Sequence, residues 1–125
     1  KILGVTILTS LNSHQTKKYY NNQNVNQLVK KFALNAKKNN LDGIVCSPLE
    51  ITTVRKEVGN KMLIVVPGIR LEKKQPNKKD DQKRTLTPKE AISLGADYLV
   101  IGRPIVESNN PLKTLKEINK SIINK

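Results

Sequence analysis

The sequence contains few of the residues that define several common classes of protein. It has one cysteine, one histidine and no tryptophan among 125 residues, and aromatic side chains make up only 3%. A single cysteine cannot form an intramolecular disulfide, and the cysteine and histidine pairs of a zinc module are missing. No stretch reaches the about 20 apolar residues of a membrane span, and no secretory leader precedes a cleavage site. We therefore expect a soluble, cytoplasmic protein without a metal.

Positive charge is abundant, with 23 Lys and Arg against 10 Asp and Glu, a net charge of +13. Lysine, asparagine and isoleucine, which AT-rich codons favour, make up 45 residues (19, 14 and 12). The lysines occur in every segment, whereas a nucleic-acid-binding face concentrates basic residues on one element, often beside stacking aromatics. We interpret the charge as compositional drift at the surface and expect no nucleic-acid or membrane partner, with a basic nucleic-acid binder as the third-ranked alternative.

Methionine occurs once, at Met62, and the first residue is Lys1. A natural translation product begins with methionine unless it is processed. We therefore expect this chain to be a piece of a longer protein.

Four short apolar runs rich in β-branched residues predict four strands. The runs are nearly continuous rather than alternating, which is typical of parallel strands that are covered on both faces. They span residues 2–9, 41–47, 62–66 and 98–101.

Four helical patterns separate and follow these runs. Apolar residues three and four positions apart place an apolar stripe on each, and prolines or N-capping residues stand at the expected helix starts. Thr87 and Glu90 in addition have the spacing of a capping box. The predicted helices span about residues 24–38, 48–59, 87–95 and 112–122.

Four alternating strand and helix units predict an α/β fold with right-handed crossovers. Two architectures fit the pattern: an open doubly wound sheet, or half of a (β/α)₈ barrel, which needs eight units and about 250 residues. The length does not decide between them, but the missing initiator methionine favours the half barrel.

Glycine and arginine follow both of the last two predicted strands. Gly68 and Arg70 follow the third strand, and Gly102 and Arg103 follow the fourth. Glycine allows close backbone approach, arginine offers bidentate geometry to a phosphate, and barrels commonly bind phosphate after their last strands. These residues predict one phosphate site, against the alternative that the arginines pair with surface carboxylates.

The other candidates carry weaker signals. Thr9 and Ser10 end the first strand, and Cys46, interpreted as a small buried thiol, ends the second with Ser47. His14 lies in what we interpret as a polar loop, and is expected to be solvated. Residues 70–84, with seven basic and three acidic side chains, predict a mobile lid or a solvated loop.

Several motifs together resemble the C-terminal half of bacterial orotidine 5'-phosphate decarboxylase. They are VTILTS, LDGIVCSPLE, VVPGIR and DDQKRTLTPKEAISLGADYLVIGRPI, at residues 5–10, 41–50, 65–70 and 80–105. The resemblance covers nearly the whole chain. It implies a (β/α)₈ TIM barrel to which residues 1–125 contribute the last four units of a single domain, the N-terminal half being absent.

The resemblance also implies a substrate and the residues that bind it. Thr9 would contact the pyrimidine of orotidine 5'-monophosphate, and Arg70, Gly102 and Arg103 would hold its 5'-phosphate. Gln82 occupies the position of the lid glutamine that links phosphate and base in this family. The family uses no cofactor or metal and assembles as a homodimer.

The catalytic DxKxxD stretch of that family is missing from this sequence. Asp81 and Lys83 have its first spacing, but Leu86 stands where the last aspartate would be required. We therefore expect a decarboxylase of de novo pyrimidine biosynthesis whose 125-residue piece is inactive alone and, with two open sheet edges, dimerises, stays partly molten or aggregates. The second-ranked alternative is a standalone phosphate-binding α/β module of another phosphosugar activity.

Overall fold

The computed structural model describes residues 1–8, 10–71 and 85–123 and contains a four-stranded sheet. All neighbouring strands are parallel, and their order in space, β1-β2-β3-β4, is their order along the chain. The four predicted strands are confirmed; β1, β2 and β4 are shorter than their apolar runs, and β3 has the length of its run but is shifted by one residue. Their bounds are β1 Leu3–Val5, β2 Gly43–Val45, β3 Leu63–Pro67 and β4 Tyr98–Val100.

Six α-helices and one 3₁₀ turn accompany the sheet. All four predicted helices are present, and the second of them begins as a 3₁₀ turn at Pro48–Glu50 before it becomes α-helical. The α-helices are α1 Ser13–Tyr20, α2 Val25–Lys38, α3 Ile51–Val58, α4 Pro88–Ser93, α5 Arg103–Val106 and α6 Pro111–Ile123.

Two of these helices, α1 and α5, were not predicted, and the interpretation of the His14 segment as a loop is wrong. His14 lies in α1, where its side chain is exposed as expected. A capping box specifies this helix: the Gln15 N–H donates to Asn12 Oδ1 and the Asn12 N–H donates to Gln15 Oε1, both at 3.0 Å. Because only Thr16 is buried, α1 has no apolar stripe for a periodicity search to detect.

The apolar core fills the space between the helices and one face of the sheet. Ile44, Ile64 and Val66 point to this face and have no solvent exposure. The stripe predicted for α2 is confirmed, since Leu28, Val29, Ala33 and Ala36 are its buried residues.

The opposite face of the sheet is uncovered, contrary to the expectation that both faces would be buried. Val5, Val45, Val65 and Tyr98 share one row of the register on this face. Val5 is 57% exposed and Tyr98 56% exposed. The apolar sequence of the strands predicts that this face is buried, but no described residues cover it.

Strand order and the position of the core decide between the two architectures. A doubly wound sheet reverses its strand order at a switch point and carries helices on both faces. Here the order never reverses and the core lies on one face only. Four β/α units with helices outside and an apolar inner face form half of a (β/α)₈ barrel.

Arg55 on α3 ties the amino-terminal ends of two strands together. Its guanidinium donates to the carbonyl oxygens of Gly59 at 2.7 Å and Met62 at 2.9 Å, just before β3. It also donates to the carbonyl of Gly95 and the carboxylate of Asp97, just before β4. The Ile64 N–H donates to the same carboxylate at 2.7 Å, so β3 and β4 are joined by one polar cluster.

Candidate functional site at the carboxyl ends of the strands

The structure brings the two predicted glycine and arginine segments to the same edge of the sheet. β3 and β4 are adjacent, and their register pairs Pro67 with Val100. Arg70 lies three residues beyond Pro67, while Gly102 and Arg103 lie two and three residues beyond Val100. Both segments therefore follow the carboxyl ends of neighbouring strands, as a shared site requires.

The backbone after β3 is fixed by a turn at Gly68. This residue has a φ of 81°, in the left-handed region that favours glycine. The turn leaves Ile69 buried and Arg70 half-buried, with the Arg70 Nη1 donating to the Ile69 carbonyl at 3.2 Å. The conformation places a guanidinium at the mouth of the strand rather than in the core.

A backbone hydrogen bond joins the two ends of the segment that was predicted as a lid. The Arg70 N–H donates to the Leu86 carbonyl at 3.0 Å, which fixes the two ends of the segment beside each other. Residues 72–84 lie outside the described residues. The predictions for Gln82 and for a mobile lid therefore stay predictions.

The backbone after β4 leaves open space at Gly102. A Cβ placed on Gly102 would meet no atom within 4 Å, and the residue is exposed. The Ile105 and Val106 N–H groups both donate to the Gly102 carbonyl, at 2.8 and 3.1 Å, so the turn into α5 has a defined shape. Arg103 begins that helix and is exposed.

Ser47 and Glu50 form a buried polar pair after β2 that the sequence reasoning missed. Ser47 is 1% exposed and Glu50 3% exposed, and the Ser47 N–H donates to Glu50 Oε2 at 3.0 Å. Within the part of the chain that the structure describes, the Ser47 Oγ has no hydrogen-bond partner. The capping-box pattern of Ser or Thr followed three residues later by Glu, which identified Thr87 and Glu90, could have identified this pair from the sequence as well.

Thr9, the predicted pyrimidine contact, is itself outside the described residues, but its neighbour Thr6 is fixed. The Thr6 Oγ1 donates to the Val45 carbonyl at 2.9 Å, and its N–H donates to the same oxygen at 3.1 Å. The end of β1 is therefore tied to the end of β2, and the prediction for Thr9 stays a prediction.

Cys46 is a buried neutral thiol, as the sequence suggested. Burial, followed by the negative charge of Glu50, raises the pKa of the Cys46 thiol to about 12. A thiol that stays protonated is a poor nucleophile and a poor metal ligand.

Residues 1–8, 10–71 and 85–123 contain neither a metal-binding cluster nor a membrane-spanning helix. No three His, Cys, Asp or Glu side chains among them stand close enough together to hold a metal ion. None of the helices in these ranges combines the length and apolarity that a bilayer crossing requires.

Four consecutive β/α units with glycine and arginine at the carboxyl ends of adjacent strands define part of a (β/α)-barrel protein. The sequence profile of the orotidine 5'-phosphate decarboxylase / HUMPS family matches residues 1–118. The chain belongs to this family, and the resemblance seen in its motifs is confirmed.

Curated relatives carry the same family name at substantial identity. Orotidine 5'-phosphate decarboxylase of Coxiella burnetii (strain RSA 331 / Henzerling II) is 48% identical over 121 residues, covering 97% of this chain and 50% of the relative. The protein of that name from Wolbachia pipientis subsp. Culex pipiens (strain wPip) is 47% identical over 122 residues, covering 98% and 52%. The chain thus spans about half the length of these relatives.

Solved structures agree with this assignment. The crystal structure of orotidine 5'-phosphate decarboxylase from Lactobacillus acidophilus matches with a TM-score of 0.81 and 32% identity, over all of this chain and 50% of the other. The enzyme from Pyrococcus horikoshii OT3, at 23% identity and a TM-score of 0.69, supports the fold alone. The half barrel is therefore a confirmed prediction.

Proposed function

We propose that this chain is the phosphate-binding C-terminal half of an orotidine 5'-phosphate decarboxylase barrel. The single observation that carries the proposal is that Arg70 on one side, and Gly102 and Arg103 on the other, follow the carboxyl ends of adjacent strands in a chain that belongs to this family. In this proposal the whole of residues 1–125 is one part of a single barrel domain. The reaction is the decarboxylation of orotidine 5'-monophosphate to uridine 5'-monophosphate.

The proposed phosphate site uses two guanidinium groups and one open backbone turn. Arg70 and Arg103 supply charge-assisted, bidentate hydrogen bonds, which suit a phosphate better than the point charge of a lysine does. Gly102 lets a phosphate oxygen approach the main chain, and the empty space where a Cβ would stand supports this role. The phosphate is the end of the substrate most remote from the reacting carboxylate.

The pyrimidine end of the substrate is assigned to Thr9 and Gln82 by family resemblance. Ser47 is a third candidate contact, since its buried Oγ at the carboxyl end of β2 has no hydrogen-bond partner among the described residues. A ligand hydroxyl or carbonyl that reached this oxygen would remove the cost of leaving it unpaired.

The chemical step belongs to the half that this chain does not contain. The sequence has no DxKxxD stretch, so it offers no lysine held by carboxylates to protonate the carbanion that carbon dioxide leaves behind. Binding energy at the remote phosphate contributes to the transition state only when the reacting groups are present. The chain alone is therefore inactive, and the intact enzyme is a cytoplasmic homodimer without metal or cofactor.

Nucleotide binding by the isolated chain tests the phosphate site. Uridine 5'-monophosphate, added to ¹⁵N-labelled protein, is expected to shift the amide signals of residues 68–71 and 101–106. Uridine without its phosphate is expected to leave them in place at equal concentration. Equal shifts with both ligands, or none with the nucleotide, would contradict the proposed phosphate site.

A matched pair of variants separates this site from the general attraction of a chain with charge +13. Arg103→Gln and Lys113→Gln each remove one positive charge from an exposed position, the second on α6. Only Arg103→Gln is expected to weaken nucleotide binding, by about tenfold or more, since it loses a charge-assisted contact. Equal weakening by both variants would mean that the binding is nonspecific.

A further inference from the structure

Ser47 and Glu50, the buried polar pair after β2, lie at the same edge of the sheet as the proposed phosphate site. β2 pairs with β3, and β3 pairs with β4, so the end of β2 is two strands away from the end of β4. Neighbouring strands are about 4.8 Å apart, which places these two ends about 10 Å from each other. A nucleotide that is held by its phosphate at the end of β4 therefore has a second polar group within reach of its base.

The side chain of Ser47 belongs to the inner side of the sheet. The hydrogen-bonded ladder extends one residue past β2, because the Cys46 N–H donates to the Val65 carbonyl at 3.2 Å. Successive side chains of a strand point to opposite faces. Cys46 is part of the apolar core, so Ser47 follows Val45 on the opposite, inner face. Its hydroxyl is thus directed toward the mouth of the strands and away from the helical layer.

The Ser47 hydroxyl is an unused hydrogen-bonding group. Ser47 is 1% exposed, and its Oγ has no hydrogen-bond partner among the residues that the structure describes. A buried polar group without a partner costs free energy, so a ligand that supplies the partner recovers that cost on binding. A hydroxyl both donates and accepts, which suits an uncharged base that carries carbonyl and N–H groups.

Glu50 holds Ser47 in place and gives this end of β2 a negative charge. The Ser47 N–H donates to Glu50 Oε2 at 3.0 Å, and the Glu50 N–H donates to the Ser47 carbonyl at 3.1 Å. Burial, followed by the charge of Glu50, raises the pKa of the adjacent Cys46 thiol to about 12, so this charge acts at the end of the strand. A carboxylate here disfavours a second anion beside it.

We propose that Ser47 Oγ binds the uncharged base of the nucleotide by a hydrogen bond, and that Glu50 is the residue that positions Ser47. The two ends of the ligand are then distinguished by charge. Arg70 and Arg103 attract the phosphate, whereas the carboxylate of Glu50 repels it from the end of β2. The nucleotide therefore binds in one direction along this edge. This inference rests on the proposed function and adds to it a specificity-determining residue for the base.

Two ligands that share a phosphate separate base binding from phosphate binding. The affinities of the full chain for uridine 5'-monophosphate and for ribose 5-phosphate, which has no base, are measured from the amide signals of residues 101–106. Ser47→Ala is expected to weaken binding of the nucleotide by about three- to tenfold, the effect of one lost hydrogen bond, and to leave ribose 5-phosphate unchanged. Unchanged binding of the nucleotide, or an equal loss for both ligands, would overturn the inference.

Ser108→Ala is the matched control for this substitution. Ser108 lies between α5 and α6, and its Oγ is also buried without a hydrogen-bond partner among the described residues. Both substitutions remove one such hydroxyl, but only Ser47 lies at the end of a strand. Ser108→Ala is expected to leave both affinities unchanged. A loss of nucleotide affinity equal to that of Ser47→Ala would count against the inference.

Two substitutions of Glu50 test its positioning role. Glu50→Gln keeps an oxygen that accepts from the Ser47 N–H and is expected to retain the affinity for uridine 5'-monophosphate. Glu50→Ala loses that oxygen and is expected to weaken nucleotide binding as Ser47→Ala does, with ribose 5-phosphate unchanged in both variants. Circular dichroism establishes that each variant is folded, and Ser47→Ala decides the base contact if Glu50→Ala does not fold. A folded Glu50→Ala with full nucleotide affinity would refute the positioning role.

The same measurements distinguish this inference from the proposed function. Binding of ribose 5-phosphate that Arg103→Gln weakens, together with no effect of Ser47→Ala on the nucleotide, would overturn the inference alone and leave the phosphate site intact. Failure of the unsubstituted chain to bind either ligand would contradict the proposed phosphate site, and the inference with it.

Discussion

At the residue scale, the side chain of Arg55 connects the segments that precede β3 and β4. It is half-buried on α3 and joins three backbone carbonyls to the carboxylate of Asp97. A lysine has three donors on one nitrogen and cannot reach groups spread over two loops in the way a planar guanidinium does. A lysine at this position would therefore leave some of these carbonyl and carboxylate oxygens, at the amino-terminal ends of β3 and β4, without a hydrogen-bond donor.

We therefore expect Arg55→Lys to lower the free energy of unfolding by about 2–3 kcal/mol. Urea denaturation measures the change. Lys30→Ala, which removes the ion pair between the exposed Lys30 and the half-buried Glu57 at 2.7 Å, is the control and is expected to cost about 1 kcal/mol or less. Equal losses in the two variants would show that the polar cluster has no special role.

Cys46 provides a second prediction at this scale, on reactivity and pH. Because burial raises the pKa of its thiol to about 12, an aromatic disulfide reagent at pH 8 is expected to modify it only when the protein unfolds. The unfolded thiol ionises at lower pH, so above about pH 9 the unfolded state binds fewer protons and this group makes stability fall with rising pH. Ser93→Cys, at an exposed position, is expected to react at once. Rapid modification of native Cys46 would contradict the buried, neutral thiol.

The position in the fold of some candidate residues could be predicted better than that of others, for a physical reason. Gly68, Arg70 and Gly102 could be placed because each follows an apolar run, and parallel strands end at a common edge. The buried Glu50 could not be placed from its charge, since acidic residues are usually exposed. Its burial depends on a hydrogen bond to the backbone of Ser47, a local contact that hydropathy does not report.

At the scale of single elements, β2 depends on the absence of a side chain at Gly43. A Cβ there would lie 2.7 Å from the Leu63 carbonyl oxygen and 2.7 Å from the Leu3 Cδ2. Those atoms belong to the two strands that flank β2, so the whole sheet would have to open to make room.

We expect Gly43→Ala to cost at least about 2 kcal/mol of stability, because the clash includes backbone that cannot move alone. Thermal unfolding measures it. Gly102→Ala is the matched control: its Cβ meets open space, so its melting temperature is expected to stay unchanged while its affinity for uridine 5'-monophosphate falls. A destabilised Gly102→Ala, or a tolerated Gly43→Ala, would contradict this account of the two glycines.

The elements that could be predicted are those with either an apolar stripe or a familiar cap. α2 and α6 have stripes, and α4 has the Thr87 and Glu90 capping box, with the Thr87 N–H donating to Glu90 Oε2 at 2.9 Å. α1 and α5 were missed for different reasons. α1 is polar and depends on an asparagine cap, whereas the four residues of α5 are too few to show any period.

At the scale of the whole molecule, strand order carries the assignment to a half barrel. Local patterns predicted parallel strands and helices but left the doubly wound sheet open as an alternative. The order β1-β2-β3-β4 without reversal, and a core on one face, were needed to decide. The half-exposed inner face could not be read from hydropathy, because apolar strands have the same sequence whether or not a partner covers them.

Release of carbon dioxide from orotidine 5'-monophosphate tests the central claim most directly. The chain is assayed alone and after mixing with a separately expressed N-terminal half of the Coxiella burnetii relative, which covers the length that this chain does not. We expect activity only in the mixture, because in the proposed function the phosphate site lies on this half and the catalytic lysine on the other. Activity of the chain alone, or a stable complex of the two halves that releases no carbon dioxide, would contradict the account.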